Sequence, residues 1–115
     1  MFYELCIYEV NPNMQGEFEV LISEVAAFYR AQSGVHMVKY IKRTHKESAE
    51  NSFDMDAVPL RLTREKGKVT YALYWMLESA EAHARIARQA NRRYGESFSG
   101  LLTASPKTIL GEELA

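Results

Sequence analysis

The sequence contains a single cysteine, Cys6, so no disulfide can form within the chain. Its longest apolar runs fall well short of the roughly 18 residues that a membrane-spanning helix needs. The net charge is −1, so the basic surplus typical of nucleic-acid binding is missing. The first residues show no pattern of a secretory signal. Together these absences predict a cytoplasmic protein that binds neither nucleic acid nor membranes, and they also fit the interior of an organelle.

What is present fits an ordinary globular protein. Apolar residues make up 47% of the chain and charged residues 25%. A length of 115 residues is close to the usual size of one domain and is sufficient for a hydrophobic core. No repeat or linker-like segment divides the sequence. We therefore expect a single domain over residues 1–115.

The periodicity of apolar residues predicts a β-α-β-(β)-β-α-β order. Ser33-Gly34 is expected to end the first helix, and Ser79 to cap the second. The polar stretch 46–56 is expected to be a loop. Predicted strands cover residues 2–10, 35–44, 58–65, 69–77 and 98–104, and predicted helices cover residues 14–32 and 80–94. This order is typical of an α+β fold of the ferredoxin-like, split-βαβ type, an antiparallel sheet with both helices on one face.

The strand at residues 69–77 is apolar on both faces. From Tyr71 to Leu77 the odd-numbered and the even-numbered side chains are all apolar or aromatic, whereas a sheet with one wet face should alternate. Two helices cover only one face, and the other would expose a larger apolar patch than monomers usually tolerate. Its burial stabilises association by roughly 25 cal/mol per Å². We therefore predict a homodimer with the two copies related by a two-fold axis. The alternative is that the loop 45–57 covers this face, although its acidic and amide content makes it a poor cover.

Two segments resemble known protein families. The strand MFYELCIYEV, followed by a helix about a dozen residues into the chain, resembles the start of NIPSNAP-type domains. The segment YWMLESAEAHA at residues 74–84 resembles the strand, Glu-Ser and Ala-rich helix junction of antibiotic-biosynthesis-monooxygenase-like proteins. Both belong to the dimeric α+β barrel superfamily. The resemblance implies two ferredoxin-like sheets packed face to face into one barrel, with a pocket between each sheet and its own helices.

The functions implied by this resemblance are diverse, and include cofactor-free oxygenases, haem-degrading enzymes, peroxidases, isomerases and proteins without known activity. In the haem-degrading and quinone-forming oxygenases, an Asn on the first strand and a Trp just before the junction Ser carry the chemistry. The present sequence departs from both, because residues 1–10 contain no Asn and Leu77 stands two residues before Ser79. Trp75 lies on the same strand face, about 7 Å further along.

His83 is the candidate catalytic residue. On the second helix it shares a face with Ile86, Ala87 and Ala90, so it should point towards the sheet. The two small alanines are expected to leave a gap there that a ligand can fill. His83 is then placed to act as an acid or base, or as an axial haem ligand. The alternative is a core histidine with its ring hydrogen-bonded to the backbone.

Aromatic residues on the strands are the candidate pocket walls. Together with Ala87 and Ala90, we expect Trp75, Tyr71 and Tyr3 to line a pocket for a flat organic ligand. The alternative is that these aromatic residues are part of the hydrophobic core, as aromatic residues of buried strands usually are.

Arg85, Arg88 and Arg92 form a basic stripe on the second helix. It is a candidate surface for an anionic ligand or a protein partner. The alternative is a solvated helix face whose charges favour the C-terminal end of the helix dipole.

The remaining reactive residue types predict no metal site. Cys6 is expected to be an inert, buried thiol. His36 and His45 lie nine residues apart and have no partner at metal-ligand spacing. Asp54 and Asp56 are expected to be solvated carboxylates.

Three functions fit this sequence. The first is a small-molecule enzyme or binder, either a cofactor-independent monooxygenase or an isomerase, acting on a hydrophobic metabolite in the sheet–helix pocket. The second is a non-catalytic, NIPSNAP-like dimeric binding module that uses the arginine stripe. The third is a haem-binding protein with His83 as the ligand, the only one of the three that needs a cofactor.

Overall fold

The computed structural model describes residues 1–48, 58–63 and 66–115. Short 3₁₀ helices at Pro12–Met14 and Gly95–Phe98 accompany two long helices. In chain order the main elements are β1 (Phe2–Val10), α1 (Gln15–Arg30), β2 (Val35–Lys42), β3 (His45–Lys46), β4 (Leu60–Arg61), β5 (Val69–Leu77), α2 (Ala80–Tyr94) and β6 (Lys107–Glu112). None of the helices in these ranges is long and apolar enough to cross a membrane.

The main sheet has the strand order β2-β5-β1-β6, and each neighbouring pair is antiparallel. Both helices pack on one face of this sheet, so the predicted ferredoxin-like α+β fold is confirmed. The central strands are β1 and β5, the two most apolar strands of the sequence. A separate two-stranded sheet pairs β3 with β4.

The helix ends lie close to the predicted residues. The helix α1 ends at Arg30 with Ala31 as its C-cap, before the predicted stop at Ser33-Gly34. Gly34 adopts a φ of 91° in the turn that leads to β2, the left-handed conformation that glycine allows most readily. The Ser79 side chain accepts a hydrogen bond of 3.1 Å from the backbone N–H of Ala82, which caps α2. Asn11 caps the 3₁₀ helix rather than α1, because its side chain accepts from the N–H of Asn13.

The last strand was predicted at residues 98–104, and this prediction is wrong. The apolar residues of this segment, Phe98, Leu101 and Leu102, pack against the core from a turn. Among the described residues, the segment forms one isolated bridge, between Leu102 and Val10. The strand itself, β6, begins after Pro106. It is an exposed edge strand, and so lacks the strong apolar signal on which the prediction relied.

The strand predicted at residues 58–65 is also shorter than expected. Only Leu60–Arg61 pairs, with His45–Lys46 of the small sheet, and Leu60 is exposed instead of half-buried. Residues 64 and 65 lie outside the described residues. Residues 49–57, which make up most of the predicted loop, also lie outside the described residues. The alternative in which the loop 45–57 covers the open sheet face, and the expectation for the Asp54 and Asp56 carboxylates, depend on these residues.

The two faces of the main sheet have different surroundings. On β5 the odd-numbered residues are buried beneath the helices, and the even-numbered residues face away from them. Trp75 therefore belongs to the helix-covered face and Tyr74 to the open face. On β1 the parity is reversed, because Glu4 pairs with Trp75 and Leu5 pairs with Tyr74 in the antiparallel register.

The open face is largely apolar. Leu5 is 37% exposed, Ile41 55% and Ile109 67%, and each lies on a different strand of the main sheet. Between them lie the rings of Tyr3 and Tyr74, whose centroids are 6.0 Å apart. The sequence-based expectation of a sheet that is apolar on both sides therefore holds across several strands.

The cap of α2 provides a stability test. Replacing Ser79 with Ala removes the acceptor for the Ala82 N–H, so the free energy of unfolding should fall by about 1 kcal/mol. Urea denaturation measures this change. The matched control is Ser97→Ala, at an exposed position in the second 3₁₀ helix, which should change the same quantity by less than about 0.5 kcal/mol. Equal effects for the two variants would contradict the capping assignment.

Candidate active site

A cavity of about 380 Å³ lies between the sheet and the two helices. Ala87 and Ala90 of α2 line it, and their small side chains leave the space open. The turn before β6 contributes Phe98, Leu102 and Pro106. The segment 98–104, which was wrongly predicted to be a strand, thus forms part of one wall of the cavity. Such a volume is within the range of small-molecule sites.

A part-buried carboxylate–imidazole pair lies at this cavity. Nε2 of His83 is 2.5 Å from Oε1 of Glu4, and the two side chains are only 14% and 12% exposed. Glu4 lines the cavity, whereas His83 lies behind it in the first turn of α2. The His83 ring packs against Phe2 and Trp75, with centroid distances of 5.4 and 5.0 Å. Apolar rings beside the pair lower the local dielectric and strengthen its electrostatic interaction.

Glu4 was missed in the sequence analysis. Its position in the strand could have identified it. The even-numbered residues of β1 point towards the helices, and Glu4 is the one charged residue among them. A carboxylate on an inward face needs a partner, since burying an unpaired charge is costly. That partner is His83, which the sequence did place towards the sheet.

Four tyrosines surround the rest of the cavity, namely Tyr8, Tyr29, Tyr40 and Tyr94. Burial raises the pKa of Tyr8, Tyr29 and Tyr40 above the ordinary value, so these phenols stay protonated at neutral pH. They are therefore hydrogen-bond donors. The buried hydroxyl of Tyr40 has no hydrogen-bond partner among the described residues.

Cys6 also lines the cavity, beside Thr108 of β6. The Thr108 hydroxyl donates a hydrogen bond of 3.5 Å to the Cys6 sulfur. Burial raises the pKa of the thiol, although this hydrogen bond opposes the shift. The thiol is therefore protonated at neutral pH, as an inert cysteine would be.

The aromatic residues predicted to share one pocket lie in three different places. Trp75 is fully buried beneath the cavity and stacks on Tyr29 at 4.1 Å. Tyr71 faces a separate groove between α1 and β2, where its hydroxyl donates to Glu19 at 2.6 Å. Tyr3 lies on the open face of the sheet, where its hydroxyl donates to Glu113. Tyr3 lies on the opposite face of the sheet from Tyr71 and Trp75. Tyr71 and Trp75 share a face but lie four residues apart along β5.

The arginine stripe lies outside the cavity. Arg85, Arg88 and Arg92 are exposed on α2, and Arg85 donates a hydrogen bond of 3.3 Å to the carbonyl oxygen of Ser33. In the described part of the chain, no cluster of three His, Cys, Asp or Glu side chains is arranged to hold a metal ion. His36 is exposed on β2 and His45 on β3.

Several solved structures share this fold over nearly the whole chain. A protein from Nitrosomonas europaea, named for the antibiotic biosynthesis monooxygenases, has a TM-score of 0.72 at 9% identity and covers 100% of both chains. A Caulobacter crescentus protein of the same name has a TM-score of 0.71 at 15% identity, covering 99% of this chain and 90% of its own. A variant of SnoaB, a cofactor-independent oxygenase from Streptomyces nogalater, has a TM-score of 0.65 at 14% identity, with 97% and 92% covered.

These likenesses show that the chain shares the fold of proteins named as antibiotic biosynthesis monooxygenases. They do not support the NIPSNAP part of the resemblance. No protein-family model matches the sequence, and no curated protein is similar to it. At such low identities the likeness concerns the fold, and the function has to be argued from the site.

The burial of Cys6 leads to a chemical test. Its raised pKa and buried position should prevent reaction of the native protein with the anionic thiol reagent DTNB at neutral pH. The absorbance of the coloured thiolate that DTNB releases should stay constant for minutes. After urea is added, it should rise by the amount expected for one thiol per chain. Stoichiometric reaction of the native protein within seconds would show instead that Cys6 is an accessible thiolate.

Proposed function

We propose that the protein is a homodimeric enzyme that transfers a proton to or from a small hydrophobic molecule bound in the sheet–helix cavity. The observation that carries this proposal is the part-buried Glu4–His83 pair, whose Glu4 lines the cavity. Carboxylates and imidazoles are the commonest acid–base groups of enzymes.

In this proposal Glu4 is the catalytic residue and His83 its positioning partner. Glu4 lines the cavity, so its carboxylate is the member of the pair that a ligand meets. The hydrogen bond that Nε2 of His83 donates to Oε1 holds the carboxylate in one orientation. This assignment revises the role predicted for His83 from the sequence, because the imidazole acts through Glu4 instead of touching the ligand.

Cofactor-independent oxygenation is the reaction class that we favour for this site. SnoaB, one of the proteins with the same fold, is named as a cofactor-independent oxygenase. Removing a proton from an enol or phenol gives an electron-rich anion, the form in which many organic molecules react directly with dioxygen. A base at the cavity wall supplies that step. The chain lacks the strand-1 Asn and has Leu77 in place of the junction Trp, so Glu4 is its own candidate base.

The open sheet face supports the dimeric part of the proposal. Leu5, Ile41 and Ile109 are exposed on this face, on the side away from the cavity. A second sheet packed against it would bury these residues without blocking the site, and a two-fold axis lets the same patch serve both copies.

A cytoplasmic location is part of the same proposal, since one reduced cysteine suits that compartment.

Two other functions are weaker candidates. Haem ligation by His83 is disfavoured because Nε2 is already bound to Glu4 and the imidazole does not line the cavity. Titration with haemin should therefore give no Soret shift. A non-catalytic binding role through Arg85, Arg88 and Arg92 rests on their exposure alone.

The catalytic role of Glu4 can be tested with 2-tetralone, an uncharged ketone with acidic C–H bonds. The protein should accelerate exchange of its α-protons in D₂O, measured by proton NMR under nitrogen. Glu4→Gln keeps the size of the side chain but removes the base, so the acceleration should fall by about 10²- to 10⁴-fold. His83→Gln should lower it less, because Glu4 remains.

The matched control is Glu19→Gln, a carboxylate outside the cavity, which should leave the exchange rate unchanged. Retention of the wild-type rate by Glu4→Gln would exclude Glu4 as the base. In air, oxygen uptake with an electrode tests the oxygenase reaction. Exchange without any oxygen uptake, across enolic and phenolic compounds, would instead indicate an isomerase.

The dimer can be tested by adding one charge to the open face. Ile109→Lys should raise the dimer dissociation constant at least about tenfold, because a lysine there would lose its solvation in the interface. Val20→Lys is the control, since Val20 is equally exposed but lies on α1. Analytical ultracentrifugation measures both. A monomeric wild type, or equal effects of the two substitutions, would contradict the proposed interface.

A further inference from the structure

We propose that Tyr40 and Glu4 together select the ligand of this cavity, an uncharged ring compound that carries a hydrogen-bond-accepting oxygen. Tyr40 donates to that oxygen, and Glu4 excludes anionic compounds of the same shape. The inference rests on the proposed function, because it assumes that the sheet–helix cavity is the ligand site.

The Tyr40 hydroxyl is the observation that points to a ligand. Tyr40 lies on β2 opposite Leu73, with its side chain turned towards the helices, and it lines the cavity. Its oxygen is buried and has no hydrogen-bond partner among the described residues. A buried hydroxyl that has lost its water without gaining a partner is unfavourable. A ligand oxygen in the cavity would provide the missing acceptor.

The protonation state of Tyr40 fixes the direction of that hydrogen bond. Burial raises the pKa of Tyr40 above the ordinary value of a phenol, and the nearby Tyr29 and Glu4 add to the shift. Tyr40 is therefore a neutral donor at neutral pH. A ketone or ether oxygen, which can only accept, is as suitable as a hydroxyl.

The charge of the cavity argues against an anionic ligand. Its fifteen described lining residues include one carboxylate, Glu4, and no lysine, arginine or histidine. A carboxylate or phosphate bound here would lose its hydration and would meet Glu4 with no counter-ion. The arginines of α2 cannot compensate, because they lie on the outer surface of the helix. An uncharged molecule avoids this repulsion.

The walls suit a flat ring. Tyr8 and Phe98 stand nearly parallel, with centroids 5.9 Å apart and an interplanar angle of 12°. Val25 and the two alanines of α2 supply aliphatic surface around them. Aromatic and aliphatic walls with a few polar groups are the usual lining of a site for a small organic molecule.

Three compounds with the same bicyclic skeleton separate these effects. Tetralin has no polar group, 2-tetralone adds an accepting oxygen, and tetrahydro-2-naphthoate adds a negative charge. Calorimetry or quenching of Trp75 fluorescence gives their dissociation constants. Tyr40→Phe should weaken 2-tetralone binding about three- to tenfold and leave tetralin unchanged. Glu4→Gln should strengthen binding of the anion at least about tenfold, with little change for tetralin.

Thermal stability provides a second readout. Without ligand, Tyr40→Phe should raise Tm by about 3 °C, because it removes an unsatisfied buried hydroxyl. Tyr71→Phe is the matched control, since the Tyr71 phenol is hydrogen-bonded to Glu19 outside this cavity. It should lower Tm and leave the affinity of all three compounds unchanged. A merely structural role of Tyr40 would not combine a higher Tm with weaker ketone binding.

The possible failures are distinguishable. Equal loss of 2-tetralone and tetralin binding in Tyr40→Phe would overturn the role of Tyr40. Binding of the anion as tight as that of the ketone would overturn the selection by charge. If proton exchange still depends on Glu4 in either case, the proposed function stands without this inference. If none of the three compounds binds, the cavity is not the ligand site and both proposals fail.

Discussion

A carboxylate on the inward face of a central strand is the constraint on which the rest of this site depends. Glu4 occupies an inward-facing position of β1 and is only 12% exposed, so its charge needs a partner close by. His83 supplies that partner from the first turn of α2, which ties the start of this helix to the sheet. Beyond that contact, Ala87 and Ala90 keep the same helix from filling the space above the strands. The cavity and its acid–base pair are thus products of one packing arrangement.

The alternation of side chains along the strands separates the two roles of the sheet. One set of side chains faces the helices and builds the core and cavity, with Trp75 stacked on Tyr29 beneath it. The other set, with Leu5 and Ile109, forms an apolar surface on the opposite side. Because a strand presents successive residues to opposite faces, substitutions on the open face need not disturb the cavity. The proposed ligand site and the proposed dimer surface can therefore share one four-stranded sheet.

Much of this arrangement could be predicted from the sequence, because long periodic segments determine it. The helix α2, its Ser79 cap and the inward direction of His83 all follow from helical spacing. So do the small residues that line the cavity. The strand after α2 could not be predicted, because Phe98, Leu101 and Leu102 are apolar for the sake of tertiary packing in a turn. The pairing of Glu4 with His83 was missed because it joins residues 79 positions apart, and local patterns do not encode such contacts.

The central claim is that a small uncharged molecule occupies the cavity beside the Glu4–His83 pair. A crystal structure of the protein soaked with 2-tetralone tests it most directly. We predict density for the bicyclic ring over Ala87 and Ala90, with the ketone oxygen within hydrogen-bonding distance of the Tyr40 hydroxyl and the acidic carbon facing Glu4. Ligand bound only elsewhere, or a cavity that stays filled with ordered water at saturating ketone, would contradict the account.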